Sequence, residues 1–202
     1  MTRVVVPFAG VEGKTRLHAS SSARRALSLA MLGDVVAACV AVGGTLIVTP
    51  DPVAAALARE VGAGVVDDPG GGQGAAVQVA LATLEAGPAL VVNADVPCVE
   101  PADLNALIAA TSGGGFGLVE ALDGTTNALS LPAPDVFIPL YGEHSAARFR
   151  ARAAELGLDV VSLVVPNLAD DIDTLDDLER LRFLCGPRTR AALAAQPVEA
   201  LR

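Results

Sequence analysis

The chain has 202 residues, 52% of them hydrophobic, and its 14 lysines and arginines are outnumbered by 23 aspartates and glutamates, for a net charge of −9. That balance is the wrong sign for a nucleic-acid surface, which needs a basic face. Despite a positive mean hydropathy, no apolar run reaches the roughly 18 to 20 residues of a membrane span. The size suits one domain, residues 1–202, able to bury its own core, with a peripheral tail over 187–202. The opening MTRVVVPFAGVEGK has a short apolar run that stops at a proline and continues into charges, unlike a secretory leader, so the expected location is the cytoplasm. Cys39, Cys98 and Cys185 are far apart and form no CxxC pair, and they read as small buried hydrophobes.

Strand-length apolar runs alternate with helix-length segments. Arg3 to Phe8 reads as a strand, and Ser20 to Val42 as a helix opened by serines and closed by Gly43-Gly44. Thr45 to Thr49 is a second strand, Pro52 to Val61 a helix with proline in its first turn, and Gly64 to Val66 a short third strand. The loop DDPGGGQG, residues 67–74, precedes an Ala-rich helix from Ala75 to Ala86. Ala89 to Val92 is a strand that ends in Asn93-Ala94-Asp95 and cannot continue past Pro97, and a helix begins near Pro101. Strands apolar along their whole length in β-α order predict an α/β fold, a mostly parallel sheet covered by helices on both faces. Asp95 is thereby placed at the carboxyl end of a buried strand, where open α/β sheets keep their ligands.

The second half is less regular. Phe116 to Glu120 and Ala128 to Leu131 read as strands around the turn at 123–127, and Val136 to Ile138 as a short edge segment between prolines. A helix is expected from Ser145 to Leu156, a strand from Asp159 to Val165, and an amphipathic helix after Thr174, its N-cap, with Asp177 three residues on. Beyond Gly186 a short exposed helix is expected.

Several residues could carry chemistry. Gly10, Gly13, Lys14 and Arg16 form a glycine-bearing loop after the first strand, too short between its glycines for a Walker A motif but able to present two cations to a polyphosphate. The glycines at 70–74 read equally as a cover for a nucleotide base or as a plain connection. Asp171 and Asp173 flank Ile172, so in an extended segment both carboxylates point one way while the isoleucine points to the core. Together with Asp95 they offer oxygen ligands to a hard cation such as Mg²⁺, although acidic capping of the next helix would explain the pair equally well. His18 and His144 are the two histidines and no GxSxG is present, which argues against a hydrolase triad. Gly142 and Ser145 open a helix whose N-terminus suits an anion.

The ordered set GKTRL (13–17), NADVP (93–97), GTTNAL (124–129), YGEHSAARF (141–149) and DIDT (171–174) resembles the 2-phospho-L-lactate and phosphoenolpyruvate guanylyltransferase family. The likeness runs over roughly residues 3–184. It implies a glycosyltransferase-A-like nucleotidyltransferase fold and transfer of GMP from GTP to a phosphorylated three-carbon acid, with pyrophosphate released, in coenzyme F420 biosynthesis. It further implies Mg²⁺ on Asp95, Asp171 and Asp173, GTP phosphates on Lys14 and Arg16, nucleotide contacts at Gly72 and Gly74, and the acid among Thr125, Thr126, Asn127, Gly142 and Ser145. One departure is Gln73-Gly74, where a Leu-Asn pair is expected. Phosphoenolpyruvate is the preferred acid, ahead of 2-phospho-L-lactate and 3-phosphoglycerate. The implied partners are small molecules, with no nucleic acid and no membrane, and a homodimer is left open. Two rivals remain: a molybdenum-cofactor nucleotidyltransferase, whose LxGGxxxR start is absent, and a nucleotide-binding regulator without catalysis.

Overall fold

The structure, a computed structural model, describes residues 2–10 and 19–196. Among these residues the seven strands are β1 (Arg3–Pro7), β2 (Gly44–Val48), β3 (Gly64–Val66), β4 (Ala89–Val92), β5 (Phe116–Glu120), β6 (Thr126–Leu131) and β7 (Val160–Ser162). They form one sheet in the order β3-β2-β1-β4-β6-β5-β7. Every neighbouring pair is parallel except those made by β6, which runs antiparallel to both β4 and β5. The helices are α1 (Ser21–Val40), α2 (Pro52–Val61), α3 (Gln73–Leu81), α4 (Pro101–Ala110), α5 (Ser145–Glu155), α6 (Pro166–Ala169), α7 (Leu175–Leu181) and α8 (Pro187–Ala195). The expected mostly parallel α/β fold is therefore what the chain adopts.

The continuous apolar runs of β1 and β4 have a direct cause, because each face of the sheet is covered. Val4, Val6, Leu90 and Val92 pack on one side with Leu32, Val36, Ala54 and Leu104 from α1, α2 and α4. Val5 and Val91, their alternates, pack on the other side with Val77 and Ala80 of α3 and Phe149 of α5. Side chains alternate across a strand, so a strand buried on both faces must be apolar at every position.

Three expectations change. The segment from Val136 to Ile138 is not a strand; Pro134–Val136 forms a 3₁₀ turn that delivers Phe137 into the core, its ring 6.1 Å from those of Tyr141 and Phe149. Pro139 and Pro134 remove backbone donors on either side, which disfavours a strand there. β7 is confined to Val160–Ser162, because the chain turns at Pro166 into α6. Helix α3 starts at Gln73 and stops at Leu81, earlier at both ends than its alanine content suggests.

The tail is largely exposed but anchored. Asp34, buried on α1, accepts the backbone N–H groups of Arg188 and Thr189 at 3.0 and 2.8 Å, so its carboxylate caps α8. Gly186 makes this approach possible, since a Cβ there would lie 2.3 Å from Asp34 Cγ. Asp34→Ala leaves those donors without their acceptor and is expected to destabilise the fold by about 2–4 kcal/mol, read from urea unfolding, with Asp34→Asn milder because it keeps one acceptor oxygen.

Candidate active site

The carboxyl ends of β1, β3 and β4 open on a cleft of about 250 Å³, lined by Phe8, Gly10, Ser28, Asp68, Gln73, Asn93, Asp95 and Asp173, among others. Asp95 reaches it just past the end of β4, as the position of Pro97 leads one to expect. Asp171 and Asp173 arrive on the extended connection between α6 and α7, where Ile172 is fully buried between them and its N–H donates to the Asp95 carbonyl at 2.9 Å. That backbone bond sets two distant segments side by side. Each of the three aspartates consequently presents a carboxylate oxygen within 4.8 Å of the others.

Like charges so close resist ionisation together. Asp171 is pushed up to about 6 by burial and by the neighbouring charge of Asp95, with Asp173 adding to the effect and a hydrogen bond from Asn127 opposing it. Helix capping does not occupy the pair. The cap of α7 is made by Thr174, whose hydroxyl accepts from Asp177 N–H at 3.2 Å, and by Asp177, whose carboxylate accepts from Thr174 N–H at 3.0 Å. The donor set is all oxygen and half-buried, the chemistry a hard divalent cation takes. With Mg–O distances of about 2.1 Å, two ligand oxygens on one ion lie at most about 4.2 Å apart, a small side-chain adjustment from the separation seen here.

A chain of amides links the α3 side of the cleft to this acid cluster, a connection the sequence reading did not single out. Gln73 Nε2, in the first turn of α3, donates to Asn93 Oδ1 at 2.6 Å. Asn93 Nδ2 donates to the Thr126 carbonyl and to Asn127 Oδ1, both at 3.1 Å. Asn127 Nδ2 in turn donates to Asp171 Oδ1 at 3.3 Å. Asn93 directly follows a buried strand, two residues before Asp95, and that position was its available signal. Gln73, met as a departure from pattern, has a definite place in this chain. Asp68 was also overlooked; it lines the cleft while its Oδ1 accepts from Gly70 N–H at 2.8 Å.

The remaining site candidates fall into two groups. Two loops expected to meet one substrate do meet: Ser145 Oγ donates to Thr126 Oγ1 at 3.1 Å and Ala146 N–H to the Gly124 carbonyl at 3.4 Å. Thr126, Asn127 and Ser145 are buried at this junction. Gly142 is left-handed (φ +108°) and its carbonyl accepts from Ser145 N–H, shaping the entry to α5; Thr125 donates its N–H and hydroxyl to Asp123 in the turn before β6. In the glycine loop, Gly70, Gly71 and Gly72 all have positive φ, whereas Gly74 packs against Pro139, where a Cβ would come within 2.5 Å. Gln73, between Gly72 and Gly74, lines the cleft together with Asp68 of the same loop. Lys14, Arg16 and His18 lie outside the described residues.

A mostly parallel sheet with an acid cluster at the carboxyl ends of its strands has the architecture of nucleotidyltransferases. A Methanothermobacter nucleotidyl transferase superposes with a TM-score of 0.63 at 16% identity, covering 97% of this chain and 99% of that one. CMP:2-keto-3-deoxy-manno-octonic acid synthetase, solved with CTP, does so at 0.60 and 12% identity, covering 96% and 99%. The protein is an enzyme of the nucleotidyltransferase class.

Within that class its family is specific. Residues 2–192 match the family described as "Guanylyl transferase CofC like", and the chain belongs to that family. Its relatives include the phosphoenolpyruvate guanylyltransferases of Streptomyces coelicolor, 38% identical with 96% of this chain and 95% of that one covered, and of Conexibacter woesei, 37% identical with 92% and 87% covered.

The raised Asp171 carboxyl sets a pH dependence. In metal-free protein the folded state keeps this proton up to about pH 6, whereas the unfolded chain loses it near pH 4. The unfolded state then binds fewer protons across that window, so the contribution of Asp171 to stability is full below about pH 4 and declines as pH rises to about 6. Denaturant titrations in chelator should show this slope, and Asp171→Asn should flatten it.

Proposed function

We propose that the protein transfers GMP from GTP to the phosphate of phosphoenolpyruvate, releasing pyrophosphate, as a cytoplasmic step of coenzyme F420 biosynthesis. The observation that carries this reading is the physical continuity of the site: the acid cluster is hydrogen-bonded through Asn127 to the buried junction of the two loops assigned to the acid substrate, and through Asn93 and Gln73 to the nucleotide cleft. The guanylyltransferase names of the relatives supply the nucleotide and the acid.

In this reading Asp95, Asp171 and Asp173 hold Mg²⁺, which when bound neutralises phosphate charge and makes the α-phosphorus more electrophilic. Thr125, Thr126, Asn127, Gly142 and Ser145 surround the phosphorylated acid, at the N-terminus of an eleven-residue helix that favours an anion. Lys14 and Arg16 meet the GTP phosphates, and the loop carrying Gly72, Gln73 and Gly74 borders the nucleotide. A phosphate monoester has its second pKa at about 6, so an oxygen of the acceptor is already ionised near neutral pH. It attacks the α-phosphorus while the bond to the bridging oxygen of pyrophosphate breaks, and no general base is required. The task left to the protein is alignment and charge neutralisation, which an overall acidic chain performs locally.

A pyrophosphate-release assay with GTP and phosphoenolpyruvate, 2-phospho-L-lactate or 3-phosphoglycerate tests the assignment, and turnover is expected to be fastest with phosphoenolpyruvate. Absence of turnover with all of them would refute it. Asp173→Asn should lower kcat by at least about a hundredfold without loss of fold, and Asn93→Ala by about ten- to a hundredfold, as expected for groups that orient ligands of a metal.

A further inference from the structure

Behind the acid cluster lies a thiol pair that the proposed reaction does not use. Cys98 and Cys185 are 87 residues apart in sequence, yet their sulfurs are 3.8 Å from each other in a buried apolar pocket with Leu27, Met31, Ile172, Leu178 and Leu181. Cys39, the remaining cysteine, is buried in a different cluster. The pair is held to the site by backbone bonds on both sides. Gly186 N–H donates to the Pro97 carbonyl at 2.8 Å, and Ile172, which packs in the same pocket, donates to the Asp95 carbonyl. Cys98 follows Asp95 by three residues.

We infer that Cys98 and Cys185 form an oxidisable dithiol whose conversion to a disulfide disturbs the carboxylate cluster. One sulfur attacks a peroxide oxygen, giving a sulfenic acid and expelling water or hydroxide; the other then displaces a second water and closes the S–S bond. Two thiols and one hydrogen peroxide thus become one disulfide and two waters. The S–H···S contact prepares this chemistry, since the proton Cys98 donates holds its own thiol up and draws Cys185 down toward the thiolate. Access is local: Cys185 directly follows Phe183 and Leu184, both well exposed, so a small opening at the end of α7 admits an oxidant. Closing the sulfurs from 3.8 Å to the bond length of about 2.05 Å pulls the Pro97–Cys98 turn toward α8 and away from the register that places Asp95 beside Ile172.

Native full-length protein exposed to hydrogen peroxide should lose two hydrogens by intact mass, with peptide mapping joining Cys98 to Cys185 and Cys39 remaining a free thiol. The oxidised form should bind Mn²⁺ at least tenfold more weakly by calorimetry, with recovery in dithiothreitol, and Cys185→Ala should keep its metal affinity through the same treatment. Three intact thiols, oxidation at Cys39 ahead of the pair, or sulfinic acids in place of a crosslink would overturn the site. A crosslink with unchanged metal affinity would overturn its coupling to the carboxylates. Mapping on the natural chain decides the first point even if the variant does not fold, and neither readout depends on guanylyl transfer.

Discussion

The site depends on one backbone hydrogen bond, from Ile172 N–H to the carbonyl of Asp95. Three carboxylates within 4.8 Å repel one another, and nothing in their own chemistry would assemble them. The restraint comes from the backbone and from burial of Ile172, whose apolar side chain is worth roughly 1.5–3 kcal/mol when removed from water. Asp171 and Asp173 are displayed because Ile172 is anchored. The raised Asp171 carboxyl records the strain of this arrangement, and a divalent cation is the simplest means of relieving it.

Neutral amides do the fine positioning around that cluster. An amide can donate and accept at once, so Asn93 satisfies Gln73, Asn127 and the Thr126 carbonyl together without introducing another charge. Asp171 is thereby oriented by Asn127 while remaining available to a cation. The nearby Arg180 is directed elsewhere, to Asp170 at 3.0 Å and Asp177 at 3.2 Å. Those exposed pairs secure the turn into α7, at the modest energies typical of surface ion pairs.

Much of this was legible in the residue order. Val4 to Val6 and Ala89 to Val92 read as doubly covered strands because no polar residue interrupts them, and Asp95 read as a functional acid because Pro97 ends its strand. Thr174 and Asp177 announced a cap that the structure contains. These are local signals, carried by neighbours a few residues apart.

What the sequence by itself determined, then, is the alternation of strands and helices, the acids at the strand end and around Ile172, and the family likeness that joined them. Tertiary structure alone decided the antiparallel entry of β6, the docking of α8 on Asp34, the Gln73-Asn93-Asn127-Asp171 chain and the meeting of Cys98 with Cys185. Each of these joins residues far apart in the chain, through contacts that exist only after the sheet has closed around its core. Periodicity and turn chemistry report what a segment does with its own neighbours; they carry no register between segments, and the site is a matter of register.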